Sequence, residues 1–231
     1  MKKLAFIPTR EEKEYEICSF LKEAGFEVHL LVNKKSIFEA YANALSEHDV
    51  KKDDIVVMCH DDIQILSNHS VFNEILEANL SLEKAGFVGV AGTQLLQRSG
   101  VWWEGLNHGA PVSPMNPLHG CVYHGDNIHN MSPTYYGGFG RAVVMDGVFL
   151  AAKGSTLFSI GLSKPPYLKG NWDFYDILYT FKAFKKGLDN RVVPISILHK
   201  SHGMGIQQDS WKENREAFTQ RFSDHLPAAI P

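Results

Sequence analysis

Cysteine is scarce in this chain: three residues in 231, at positions 18, 59 and 121. An odd number at wide spacing excludes a disulfide framework, and the apolar surroundings of Cys18 and Cys59 fit reduced thiols in a cytoplasmic protein. Basic charge is not in excess either. Lys and Arg number 23 against 26 Asp and Glu, for a net charge of -3 with the signs interspersed. No basic face is therefore on offer to nucleic acid. No apolar run approaches the length of a membrane span, and the first residues contain no signal-peptide core. Repeats, low-complexity tracts and long charge runs are missing too. What is present is a 44% hydrophobic fraction, ample for a sizeable core, over a length that fits one large α/β domain with or without an elaborated insert.

Hydrophobic patterning organises the first ninety or so residues into alternating strands and helices. Leu4 to Pro8 reads as a strand. Glu11 to Ala24 reads as a charged amphipathic helix with Ile17, Phe20, Leu21 and Ala24 on one face and a stop at Gly25. Phe26 to Val32 is a second strand, and Ser36 with Glu39 forms a capping box before a helix striped by Ile37, Tyr41, Ala44 and Leu45. Ile55 to Cys59 is apolar throughout, the mark of a strand buried on both faces. A helix over 70–84 and a strand over 87–91 follow. Strands joined by helices predict a doubly wound, mostly parallel sheet flanked by helices. Residues 92–140 break this pattern with many Gly, Pro, Asn and His, and predict a loop-rich insert within a single domain spanning 1–231. Beyond it, strands are expected over 142–145 and 148–151, a helix over 170–186, a strand over 191–198 and a closing helix over 211–222.

Chemistry-bearing residues cluster where strands end. The third strand runs straight into His60, Asp61 and Asp62, with Lys52 and Lys84 the nearest basic residues in sequence. In open α/β sheets ligands bind at that edge, and two adjacent carboxylates repel unless a proton or cation intervenes. The pattern fits either a solvated acidic turn or a divalent-metal site with oxygen ligands. GNWDFYDIL at 170–178 places Asp173 and Asp176 three apart, on one face if both are helical. A helix N-terminus stabilises carboxylates there, and an ionised one can act as a general base. ILHKSHG at 197–203 carries a strand out into His199 and His202. Trp102 and Trp103 are sugar platforms or core anchors, and Gly147 after Asp146 allows a close backbone approach or a positive φ. HGCVYH at 119–124, with His108 and His129 nearby, lacks the CxxC or HxxxH partner that a four-ligand zinc site needs.

Taken in order, the stretches YANALSEHDVKKDDIVVMCHDDIQI, GFVGVAGTQLL, VWWEG, VVMDGVFLAAK, DFYDIL and ILHKSHG resemble the family-two-type glycosyltransferases, in particular the glycosyltransferase-like group with HDD and FYD motifs. The resemblance implies a GT-A-like fold and a metal-dependent, inverting transfer of a sugar from a nucleoside diphosphate sugar, UDP-linked by preference, to a glycan or other hydroxyl acceptor. It implies a divalent cation, Mn²⁺ or Mg²⁺, on Asp62 and Asp61 with His60 beside them and His199 as a further ligand. It implies Asp176 as the base, with Asp173 as the other choice, and Pro8, Thr9, Asn33, Asp61 and Gly147 on the nucleotide-sugar. Asn and Pro also serve ordinary turns at such positions. Two departures stand out. Asp173 occupies a position where relatives often have histidine, and Leu178 one where a second aspartate is usual. Two other functions share parts of the pattern: a nucleotide-binding protein that has lost catalysis, and a metal-dependent nucleotidyltransferase. IPTREEKEYE after the first strand lacks the glycines that a nucleotidyltransferase loop carries.

Overall fold

The computed structural model describes residues 1–106, 116–201 and 208–231. The first half contains β1 (Lys3–Thr9), α1 (Glu16–Glu23), β2 (Glu27–Val32), α2 (Ile37–Glu47), β3 (Ile55–Cys59), β4 (Ile63–Ile65) and α3 (His69–Leu80). Next come β5 (Ala85–Gly89), β6 (Ala91–Thr93), β7 (Leu95–Leu96), β8 (Leu118–Asn127), β9 (Asn130–Gly137), β10 (Gly140–Ala142) and β11 (Val144–Met145). The chain closes with β12 (Phe149–Lys153), α4 (Gly154–Ile160), α5 (Tyr175–Lys185), β13 (Asp189–Val192), β14 (Ile197–His199), α6 (Asp209–Arg221) and β15 (Ala228–Ala229).

A seven-stranded sheet in the order β10-β13-β5-β12-β3-β1-β2 forms the centre. Strands β1, β2, β3, β5 and β13 run one way, and β12 and β10 run against them. The crossover from β1 to β2 and the return from β2 past β1 to β3 have opposite senses. Right-handed connections therefore put α1 and α2 on opposite faces. Aromatic contacts follow this layering: Phe20 of α1 meets Phe72 of α3 edge to face at 5.3 Å, and Phe38 of α2 meets Tyr179 of α5 at 5.8 Å. Sandwiched between the layers, every residue of β3 is buried, as its unbroken apolar run predicts.

The expected mostly parallel sheet is therefore present, with one insertion that helix–strand alternation did not reveal. Antiparallel β12 lies between β3 and β5 and pairs Phe149 with Cys59. An antiparallel strand brings its amino end to the edge where its neighbours present their carboxyl ends, so the Asp146-Gly147 turn meets the turn after β3. The His60 amide donates to the Val148 carbonyl at 3.2 Å.

A second sheet, β11-β6-β8-β14-β4 with β9 on β8, stands beside the first. The chain crosses from the first sheet to the second at four bends: β3 to β4, β5 to β6, β10 to β11 and β13 to β14. The single strand expected over 191–198 is divided in this way. Pro194 has no amide hydrogen for a ladder, and the Ile195 amide folds back onto the Val193 carbonyl at 2.9 Å. The 92–140 segment also differs from its composition-based reading, since β8 and β9 form a ten- and eight-residue antiparallel hairpin. Its Gly and His residues hid the pairing. Gly120, at φ 103, sits so close to the Val90 carbonyl that an added Cβ would lie 1.9 Å from the oxygen. Only glycine lets the ladder form there.

Two local expectations are corrected, and one open alternative is decided. Ser36 is the N-cap of α2 but makes no capping-box bond; its hydroxyl donates to the Asn171 carbonyl at 3.4 Å, anchoring a distant loop. The helix over 170–186 begins only at Tyr175, because Phe174 adopts a left-handed backbone with φ 68 and ψ 8. Trp102 is a core anchor, buried against Tyr136 with ring centroids 5.0 Å apart. Cys18, Cys59 and Cys121 are free thiols, and no helix among the described residues is long and apolar enough to cross a membrane.

Candidate active site

Two sheet bends bring the central residues together. Asp62 lies just before β4, and β4 pairs antiparallel with β14, matching His199 to Ile63. The Lys200 amide donates to the Asp62 carbonyl at 2.9 Å, which locks the two chain segments in register. As a result His60 Nδ1 lies 3.4 Å from His199 Nε2, although the residues are 139 positions apart. Asp62 Oδ1 lies 3.2 Å from His199 Nε2 and 3.9 Å from His60 Nδ1. These three atoms are mutually within 4.8 Å, and among the described residues no other His, Cys, Asp or Glu group converges this way.

The donor set fits a cation. Asp62 Oδ1 is buried and receives no well-aligned hydrogen bond, His199 Nε2 at 3.2 Å being its near neighbour, a state that a facing positive charge favours. Burial and the neighbouring His199 ring push the His60 pKa down, so its ring is neutral and carries a lone pair. Burial would raise the Asp62 carboxyl, but His199 and His60 beside it hold it below the usual range, so it is ionised.

Expected ligand Asp61 is not part of this group. Residues 60 and 62 converge on His199, and the Asp61 carboxylate does not join them. The alternation that pairs His60 with Asp62 was the available signal. His124 stands beside the group across the β8–β14 pairing, its ring centroid 5.7 Å from that of His199. His108 and His202 lie outside the described residues.

Asp176 lies in the first turn of α5, facing the Asp146-Gly147 turn. Its Oδ2 accepts from the Gly147 amide at 2.9 Å and its Oδ1 from the Ile177 amide at 2.8 Å. A helix N-terminus predicts a stabilised carboxylate, yet burial and the nearby charge of Asp146 push Asp176 up to about 7. Asp146 is the residue that sequence reasoning left without a role. Its Oδ1 accepts from the Val148 amide at 2.9 Å, which shapes the turn. Asp173 does not share a helix face with Asp176: it precedes the left-handed Phe174, and its carboxylate accepts from the Ser210 hydroxyl at 2.6 Å. Leu178 points into the core, fully buried.

Gly147 is held by protein. Its backbone φ is not positive, and the close approach there is made by Tyr175, whose hydroxyl donates to the Gly147 carbonyl at 3.0 Å. An added Cβ would lie 2.3 Å from that hydroxyl oxygen and 3.0 Å from Asp176 Cβ. Gly147→Ala is therefore expected to lower stability by about 1–3 kcal/mol through overpacking. Thermal melting checks this, and a melting temperature equal to the parent's would contradict it.

Pro8, Thr9 and Asn33 lie at the carboxyl ends of β1 and β2, the same edge at which β3 delivers His60. Thr9 is buried, bonded to the Tyr15 hydroxyl, and its carbonyl accepts from the Asn33 amide at 2.9 Å. Asn33 has φ 50, a left-handed turn conformation that Asn adopts readily.

Comparison with known proteins places the chain. Residues 13–222 match the family model described as "Glycosyltransferase like family", and the chain belongs to that family. By family it is glycosyltransferase-like, and its fold, a mixed α/β sheet flanked by helices, is of GT-A type. Among solved structures it is similar to GalNAc-T7 with UDP, GalNAc and Mn²⁺, at 11% identity and a TM-score of 0.54. That alignment covers 88% of this chain and 44% of the other, so this chain spans less than half the length of GalNAc-T7. A197 from STIV aligns over 87% of this chain and 83% of its own, at 15% identity and a TM-score of 0.48. No curated protein matches the chain.

Proposed function

We propose that this protein is a metal-dependent, inverting glycosyltransferase that moves a sugar from a UDP-sugar to a hydroxyl acceptor such as a glycan. The observation that carries this reading is the convergence of His60, Asp62 and His199 at the carboxyl edge of the sheet, with a buried carboxylate oxygen that receives no well-aligned hydrogen bond. Two imidazole nitrogens and one carboxylate oxygen suit Mn²⁺ better than Mg²⁺, which keeps to oxygen ligands. Bound there, the cation would supply Lewis acidity against the charge that develops on the departing diphosphate. The similarly folded GalNAc-T7 was solved with UDP, GalNAc and Mn²⁺, the donor chemistry such a site would take.

In this reading His60 and His199 act as nitrogen donors and Asp62 as the ionised oxygen donor. Pro8, Thr9 and Asn33, at the adjacent strand ends, line the nucleotide side. Asp176 takes the proton from the acceptor hydroxyl, and a carboxylate whose pKa lies near neutrality is suited to that step. Attack on the face opposite the diphosphate gives inversion. The β8–β9 hairpin, joined to His199 through β14, forms the acceptor-side wall.

Calorimetric titration of UDP tests the metal role. Binding in Mn²⁺ is expected to be at least about 30-fold tighter than in excess EDTA, since one cation–diphosphate interaction accounts for a few kcal/mol. Equal affinities in the two buffers would remove the cation from the site. Release of UDP from a panel of UDP-sugars in Mn²⁺ then identifies the donor, and the anomeric configuration of the product decides between inversion and retention.

A further inference from the structure

The turn that leads into α5 is strained, and something must hold it. Phe174 sits at φ 68, where a bulky L-residue pays on the order of 1–2 kcal/mol relative to its ordinary conformations. Such a geometry persists only when its surroundings over-determine it. Here the surroundings are one stripe of the closing helix α6.

Ser210, Asn214 and Phe218 follow one another at intervals of four and so share a helix face. Each grips the 169–174 segment. The Ser210 hydroxyl donates to Asp173 Oδ2 at 2.6 Å. Asn214 Oδ1 accepts from both the Lys169 and Gly170 amides at 2.9 Å. Asn214 Nδ2 donates to the Gly170 carbonyl at 3.2 Å and the Asp173 carbonyl at 3.0 Å. The Phe174 ring packs between Phe218, 5.3 Å away, and Trp211, 5.6 Å away. Asn214 is wholly buried in a helix whose mean character is polar, and its amide serves a segment more than forty positions earlier in the chain. A buried asparagine that bonds four backbone groups of one loop fixes that loop as few other side chains can.

Two residues beyond the strained turn stands Asp176, whose Oδ2 meets the Gly147 amide. We propose that Asn214 is a positioning residue for sugar transfer: by clamping the 169–173 backbone it sets the start of α5 and therefore the place of the Asp176 carboxyl beside the Asp146-Gly147 turn. The closing helix is thus part of the catalytic apparatus without touching substrate. This inference rests on Asp176 as the base for its effect on turnover, but not for its effect on position.

Asn214→Asp is the discriminating variant. A carboxylate keeps the acceptor oxygen for Lys169 and Gly170 and loses both bonds to the Gly170 and Asp173 carbonyls, which it then repels. The expected result is amide exchange at Gly147 about tenfold faster than in the parent. Turnover per donor site should fall about 30-fold, while donor KM in Mn²⁺ stays within about twofold. A residue that merely supports the fold would lower the number of competent sites, read by UDP titration in Mn²⁺, and leave turnover per site alone. Turnover per site within about threefold of the parent, or parent-like exchange at Gly147, overturns the proposal. If Asn214→Asp does not fold, Ser210→Ala at the rim of the same stripe carries both measurements, with severalfold effects expected and parent-like values overturning it. Asp176→Asn is measured alongside. Full turnover in that variant would defeat the base assignment, while Gly147 exchange would still decide whether Asn214 positions the turn.

Discussion

Asp62→Asn is expected to weaken UDP binding in Mn²⁺ by about 30-fold, the whole of the metal-dependent gain, and to leave the weak binding seen in EDTA unchanged. The substitution is nearly isosteric, so packing is preserved, but it replaces the only anionic donor in the converging group with a neutral amide. Asp62 Oδ1 is buried with both imidazoles around it, so its charge is aimed into the converging group. His199→Ala removes one nitrogen donor and should act in the same direction with a smaller effect. Asp61→Asn is the control: its carboxylate lies outside the group, and metal-dependent affinity should stay within about threefold of the parent. If Asp61→Asn and Asp62→Asn weaken binding equally, the cation does not sit where these three side chains converge.

Asp176→Asn is expected to lower turnover by about 10³-fold while changing UDP affinity less than about twofold, because a base acts on the acceptor and not on the diphosphate. The amide keeps an oxygen for the Gly147 or Ile177 amide, so the turn is not dismantled. Two pH dependences accompany the change. The parent's turnover should fall as pH drops below about 7, where the Asp176 carboxyl protonates. Stability should follow the opposite sign. With its folded pKa raised to about 7 against an unfolded value of about 3.9, the folded state holds the extra proton between those limits. The stability associated with Asp176 is therefore fully present below about pH 4 and lost as pH rises through about 7. Asn carries no such penalty, so the variant should melt several degrees above the parent at pH 8 and converge on it toward pH 4. A variant that retains near-normal transfer, with Asp173→Asn losing it, would move the base to Asp173. A parent that is no less stable than the variant at pH 8 would show that the carboxyl is not held in a charge-hostile site.

Much of this was legible in the chain. The buried run Ile55–Cys59, the strand-helix alternation of the first half and the placing of HDD at a strand's carboxyl end follow from side-chain periodicity, which is local. The structure agrees on their order, but α1 begins only at Glu16, and the strand expected over 87–91 breaks at Val90 between β5 of one sheet and β6 of the other. Legibility failed where pairing is non-local. Strand β12 inserts between β3 and β5 because its apolar residues fit both neighbours, and no pattern within residues 149–153 specifies those partners. The β8–β9 hairpin was hidden because glycines that close backbone approach requires look, in sequence, like loop residues. Helix α5 was placed too early because the left-handed Phe174 is imposed from outside, by Trp211, Asn214 and Phe218.

The sequence by itself determined the fold class, the family, and the residue types at the sheet edge. Each is a matter of composition, periodicity and order along the chain. Only the tertiary structure decided which acid joins the histidines and in which direction the Asp62 and Asp176 carboxyls are shifted. Asp62 rather than Asp61 meets His199 because the β4–β14 register fixes that pairing, and register is set by contacts between distant segments. Asp176 titrates near neutrality because burial and Asp146 outweigh its helix N-terminus and its two amide hydrogen bonds. A pKa depends on everything packed around the group, and that is known only once the chain has folded.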